Sequence, residues 1–288
     1  MKAWAQNRLT VDGVSLRYFR SGGEKPPLVL VHGFTDNALY YSRFATLLAD
    51  TWDVIAYDCR GHGASDRANG LFEHEDRVAD LLGVVRGLGL ERPVLIGHSM
   101  GAATIVRAVA EDESISRSIV LEDPAWWEPP TNLSAADRAS MMQQRSARNN
   151  AWHDSMVTLQ AGTWEEALVW RRSDSPLWDQ EDIELSAASR FEVELDLFQY
   201  FPSVRSDYRS FVAKTRCPSL LVCGDPQCGA IITEAQAREV VELNAHFQSV
   251  RIEGAGHAIR YDQFAAFNAA VLPFVAGSDP KSARTTSD

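Results

Sequence analysis

Residues 94–105 read Val94-Leu95-Ile96-Gly97-His98-Ser99-Met100-Gly101-Ala102-Ala103-Thr104-Ile105. An apolar run passes through a G-x-S-x-G pentapeptide into small residues suited to a helix. A serine on so tight a strand-to-helix turn takes a strained backbone conformation, and only small neighbours let the chain pass. Its hydroxyl then stands at a helix N-terminus above the sheet edge. Ser99 is therefore the candidate nucleophile.

Working outward, the apolar runs repeat. Residues 27–32, 53–57, 93–96, 118–121, 219–223 and 249–252 read as buried strands, because each is apolar without alternation. Between them, residues 38–48, 73–90, 102–110, 233–243 and 263–275 read as helices. The alternation predicts an α/β fold: a mostly parallel central sheet with helices on both faces. Residues 10–20 alternate around Asp12-Gly13 and predict an antiparallel hairpin at one edge.

The rhythm breaks over residues 124–209, which hold six of the eight tryptophans and no strong buried-strand run. This stretch is expected to be a helical cap inserted in a core of residues 1–123 and 210–276. Residues 277–288 are small and polar and read as a disordered tail. Within the insertion, Arg171-Arg172 reads as a solvated helix face in preference to a carboxylate site. Trp126 and Trp127 are expected to line the substrate pocket, since adjacent side chains do not easily face one core.

Composition narrows the partners. With 28 Lys and Arg against 39 Asp and Glu, the net charge is −11. Such a surface is a poor match for nucleic acid or anionic lipid. No segment has the roughly 20 apolar residues of a membrane span, and residues 1–10 lack a signal-like apolar stretch. The expectation is a soluble cytoplasmic protein acting on a small molecule. Its four cysteines show neither disulfide nor zinc spacing. No metal or other cofactor is called for, and there is neither an H-E-x-x-H nor a P-loop motif.

Four segments occur in a telling order: His32-Gly33-Phe34, Asp58-Cys59-Arg60-Gly61-His62-Gly63-Ala64-Ser65, Gly97–Gly101 and Gly254-Ala255-Gly256-His257. In this order the chain resembles the α/β-hydrolase fold superfamily, in its capped esterase, lactonase and C–C hydrolase branch, over about residues 10–275. The resemblance implies a serine hydrolase with an oxyanion hole built from the amides of Phe34 and Met100. Two such amides, one at a helix N-terminus, would bind the oxyanion of a tetrahedral intermediate. His257 is the expected general base, because a serine hydroxyl needs a nearby proton acceptor. His98, the variable residue of the pentapeptide, is expected in or beside the pocket. Asp58–Ser65 is assigned a structural role.

The acid has three candidates. The family's usual loop, Gly224-Asp225-Pro226-Gln227, carries Gln227 where the catalytic aspartate would stand, and Asp225 lies two residues early. The family's other location is the end of the preceding strand, here Leu121-Glu122-Asp123-Pro124. Asp123, 24 residues after Ser99, is the first choice, with Asp225 and Glu122 as alternatives. A serine in place of a carboxylate nucleophile argues against dehalogenase and epoxide hydrolase chemistry. The expected activity is hydrolysis of an ester or lactone of a mainly apolar molecule. A C–C bond hydrolase and a ligand receptor on the same fold stand as alternatives.

Overall fold

The computed structural model describes residue 1 and residues 4–128, 133–200 and 208–280. Eight strands form one sheet in the order β1-β2-β4-β3-β5-β6-β7-β8. Strands β1 (Ala5–Val11) and β2 (Val14–Arg20) form the edge hairpin, and β2 runs antiparallel to β4 (Asp53–Tyr57). The hairpin turns on Asp12 and Gly13, both at positive φ, as a two-residue turn between twisted strands requires. From β4 onward the sheet is parallel, through β3 (Pro27–Val31), β5 (Val94–His98), β6 (Ser118–Glu122), β7 (Ser219–Cys223) and β8 (Phe247–Arg251).

The apolar runs are explained by what they touch. In β3, Val29 and Val31 join one hydrophobic cluster, while Leu28 and Leu30 join another. Alternate side chains point to opposite faces, so a strand covered on both faces must be apolar throughout. Each buried side chain of this size contributes about 1.5–3 kcal/mol. Helices α2 (His74–Gly87) and α3 (Met100–Glu111) cover the first face. The short α1 (Ser42–Leu48) and α10 (Phe264–Gly277) cover the second. A capping box between Glu73 and Asp76 starts α2 and satisfies amides at its N-terminus.

Between β6 and β7 lie α4 (Ala135–Ala161), α5 (Trp164–Asp174), α6 (Gln180–Phe191) and α7 (Tyr208–Lys214). The α7 helix crosses the expected boundary at 209/210 and packs Tyr208 and Val212 into the core. After it come α8 (Glu234–Leu243) and α9 (Ile259–Asp262). The expected tail begins inside α10, which ends at Gly277, and its residues 281–288 lie outside the described residues. Among the described residues no helix is long and apolar enough to cross a membrane.

The chain leaves β3 toward β4 on one side and enters β5 on the other. The carboxyl ends of β3 and β5 therefore flank a crevice, the usual ligand location in an open parallel sheet.

Candidate active site

Ser99 directly follows β5, with φ 51° and ψ −111°. Non-glycine residues rarely hold a positive φ, and such strain persists only where the surroundings impose it. Here they do. The Ser99 amide donates to the Glu122 carbonyl at 2.9 Å, and the Ser99 carbonyl accepts from Ala103 and Ala125 at 3.0 and 3.1 Å. Gly101 makes the turn possible: a Cβ there would lie 2.1 Å from the Val31 carbonyl oxygen. The first turn of α3 thus sits directly on the end of β3. Met100 is its first residue, so its amide has no intrahelical acceptor.

Asp123, one residue past β6, also has a positive φ, of 37°. It is fully buried. Its Oδ2 lies 2.6 Å from His257 Nδ1 and accepts from the Ile231 amide at 2.8 Å. Its Oδ1 accepts from the Ile232 amide at 3.0 Å. Two backbone amides in fixed positions hold the carboxylate on the imidazole. Burial opposes a charge on His257, but the hydrogen bond and charge of Asp123, with Glu122 and Asp36 beyond it, outweigh burial and raise its pKa.

The other two acid candidates are engaged elsewhere. Glu122 is buried against Arg260, accepting from its amide at 2.9 Å and its Nη1 at 2.6 Å. Asp225 caps a short 3-10 turn by accepting from the Gln227 amide at 2.9 Å. Both differ from Asp123 for a simple reason. Glu122 points off the strand to a different side, and Asp225 is spent inside its own loop.

Ser99 and His257 line one cavity of about 500 Å³ together with Phe34 and His98. His98 bridges the loops on either side: Nε2 lies 3.0 Å from the His257 carbonyl and Nδ1 lies 3.3 Å from Asp36 Oδ2. Burial works against the Asp36 carboxylate, yet the His98 hydrogen bond and the charges of Arg190 and Arg260 hold its pKa well below the usual range. Asp36 was not singled out from sequence; its position four residues after His32 at the end of β3 was the available signal.

The insertion supplies the opposite wall: Trp152, Arg171, Trp178 and Arg190. Arg171 is a correction to the solvated-face reading. It is buried, lies over the Trp178 ring at 4.2 Å and pairs with Asp174 at 2.5 Å. Neighbouring positions on a helix point about 100° apart, so Arg171 faces the cavity while Arg172 donates to the Trp178 carbonyl.

Trp126 is a second correction. It lines no described cavity, but is buried in the core and stacks on Tyr208 with centroids 4.9 Å apart. Two adjacent side chains leave an extended chain in opposite directions. One of the pair therefore enters the core, and Trp127 alone enters a cavity, with Arg145 over its ring at 4.1 Å.

The segment Asp58–Ser65 acts as scaffold. Asp58 accepts from the amides of Ala38 and Ala64 at 2.8 and 3.0 Å, tying the loops after β3 and β4 together. Arg60 forms a buried two-point pair with Asp80 at 2.6 Å. The three buried cysteines, Cys59, Cys217 and Cys223, and the exposed Cys228 are all unpaired.

Comparison with known proteins adds a context. Residues 28–270 match the profile of the alpha/beta hydrolase family. An N-formylmaleamate deformylase of Pseudomonas putida is 28% identical over 275 residues, 94% of this chain and 96% of that protein. A 2-(acetamidomethylene)succinate hydrolase of Mesorhizobium japonicum is 36% identical over 116 residues, 40% of this chain and 41% of that protein. Among solved structures, an N-formylmaleamic acid deformylase of Pseudomonas putida superposes with a TM-score of 0.77 at 23% identity, covering 93% of this chain and all of that one. The enol-lactonase of Burkholderia xenovorans does so at 0.73 and 20%, over 94% of this chain and all of that one. At such identities the structural likeness speaks for the fold.

Proposed function

The chain belongs to the alpha/beta hydrolase family, and from that premise we propose that it is a serine hydrolase that cleaves an acyl bond of a small molecule through an acyl-enzyme on Ser99. The observation that carries this reading is the 2.6 Å contact of His257 with Asp123 beside a cavity that Ser99 shares. A carboxylate held on Nδ1 leaves Nε2 as the proton acceptor and stabilises the imidazolium that forms.

In this reading His257 takes the Ser99 proton as Oγ attacks the carbonyl carbon. The amides of Met100 and Phe34 receive the oxyanion, and His257 then protonates the leaving group. Water, deprotonated by the same imidazole, hydrolyses the acyl-enzyme. The insertion over 124–209 acts as a cap that supplies the far wall. Esters and lactones are the first substrate class. The likeness to a deformylase over nearly the whole chain favours N-acyl amides as a second, since the same steps cleave both.

The test is hydrolysis of p-nitrophenyl butyrate by the wild type and by Ser99→Ala. Turnover that vanishes with the hydroxyl supports the reading. Equal turnover in both proteins assigns the reaction to another site and overturns it.

A further inference from the structure

A second cavity of about 520 Å³ adjoins the catalytic one. The two share Trp152 and Ile231, and the second reaches the start of α3 at Met100. Its lining brings together Arg77, Arg145 and Arg148 with His74, and includes no carboxylate among the described residues.

That charge arrangement is unusual for this protein. The chain as a whole carries a net charge of −11, and most of its arginines sit beside acids. The two arginines of the catalytic cavity follow that pattern: Arg171 pairs with Asp174 at 2.5 Å, and Arg190 lies 3.7 Å from Asp36. Arg77, Arg145 and Arg148 form no ion pair with any described carboxylate. Arg77 is buried, its Nε has no hydrogen-bond partner, and its Nη2 is 2.6 Å from the ring nitrogen of His74. Burial together with the nearby Arg107 lowers its pKa to about 10. At neutral pH it nevertheless stays charged, over the Phe72 ring at 4.9 Å, with Glu73 and Glu75 acting on it from beyond ion-pair distance. Burial and the neighbouring Arg148 likewise lower the pKa of Arg145. Arg77 is the buried member of the group, with Arg145 half-buried and Arg148 exposed at the mouth. A buried cation costs free energy unless paired, and three guanidinium groups converging with no carboxylate among the described lining residues favour an anion that arrives from outside.

We infer that this second cavity binds an oxyanion, carboxylate or phosphate, carried by the acyl substrate whose scissile carbonyl lies at Ser99. Guanidinium groups offer planar, two-point donors suited to both anions. Trp127 and Trp152 line this cavity, and Trp152 lines the catalytic one as well. The substrate is thus a small molecule with an acyl bond at one end and a negative charge at the other. This narrows the mainly apolar substrate expected from sequence, and it rests on Ser99 as the reacting residue.

The experiment has two arms. In the first, Ser99→Ala protein is titrated calorimetrically with glutarate and, separately, with inorganic phosphate, alongside the triple variant Ser99→Ala/Arg145→Gln/Arg148→Gln. Arg145 and Arg148 lie on the outer helix α4, and thermal melting checks that the variant folds. Binding of either anion should weaken by about tenfold or more in the triple variant, the size of one lost charge-assisted hydrogen bond. The tighter anion identifies the group. In the second arm, wild type and Arg145→Gln/Arg148→Gln are compared on p-nitrophenyl hemisuccinate and p-nitrophenyl butyrate. The ratio of their kcat/KM values should favour the hemisuccinate in the wild type and fall by about tenfold in the variant. Anion binding that weakens in the triple variant, with ester turnover equal in wild type and Ser99→Ala, would sustain the anion site and sink the hydrolase reading. Ester turnover with no anion binding and an unchanged ratio would overturn the inference and leave the hydrolase reading standing.

Discussion

The two walls of the cavity at Ser99 are built differently. On the sheet side, Ser99, Asp123 and His257 follow strands β5, β6 and β8, and main-chain hydrogen bonds hold two of them. Ser99 and Asp123 both sit at positive φ, at 51° and 37°. On the insertion side, Trp152, Arg171, Trp178 and Arg190 project from or between helices and are positioned mainly by side-chain contacts, such as Trp178 Nε1 donating to Asp262 at 2.8 Å. The difference teaches a division of labour. Reacting groups need fixed geometry and are placed on the backbone of a rigid sheet. In the proposed reading, groups that select a substrate sit on helices whose surface residues can change without disturbing the strands.

That comparison can be broken in several ways. Ser99→Ala should lower kcat/KM for p-nitrophenyl butyrate by on the order of 10⁶-fold, as loss of a nucleophile does in other serine hydrolases. Stopped assays at high enzyme concentration would measure the residue. Asp123→Asn should cost about 10⁴-fold, while Asp225→Asn stays within a few-fold of wild type. A larger loss at Asp225 would move the acid to the usual loop and end the case for Asp123.

The pH profile sharpens the same contrast. His257 must be neutral to accept the Ser99 proton, and its neighbours raise its pKa above the usual 6.5. The acid limb of kcat/KM should therefore rise with pH and have its midpoint above that value. Asp123→Asn removes the largest opposing influence to burial, so in that variant the limb should move to lower pH. A limb that stays in place would separate Asp123 from the titrating group.

The smallest effects on rate belong to the adjacent tryptophans. Trp126→Ala should destabilise the fold by about 3–5 kcal/mol, as expected for a large buried side chain. Denaturant titration reads this directly. Trp127→Ala should alter stability by less than about 1.5 kcal/mol, a partly buried residue losing fewer contacts, and should instead change the relative rates of different esters. If the two variants are equally unstable, the opposite facings of the pair are wrong.

Much of this was legible in the chain itself. The strands of β3, β4 and β7 could be bounded to within a residue, because a strand covered on both faces has no polar position to blur its ends. The edge strand β8 was placed two residues late at its start. Its exposed side admits polar residues, which hide the pattern. The short α9 was not foreseen at all, since a four-residue helix has no periodicity to detect.

The site divides along the same line. Ser99 and His257 could be put forward as candidates from sequence because their local turns demand glycine at fixed offsets. The acid could only be narrowed to three residues. What separates them is the amides of Ile231 and Ile232, more than 100 positions away from Asp123. The opposite facings of Trp126 and Trp127, and the burial of Arg171 against Trp178, are likewise settled by contacts between distant segments. Sequence by itself determined the elements and the nucleophile turn, because these follow from local sterics and hydrophobic periodicity. Only the tertiary structure decided which carboxylate meets the histidine and where the unpaired arginines converge. Those are matters of long-range packing, which no local pattern encodes.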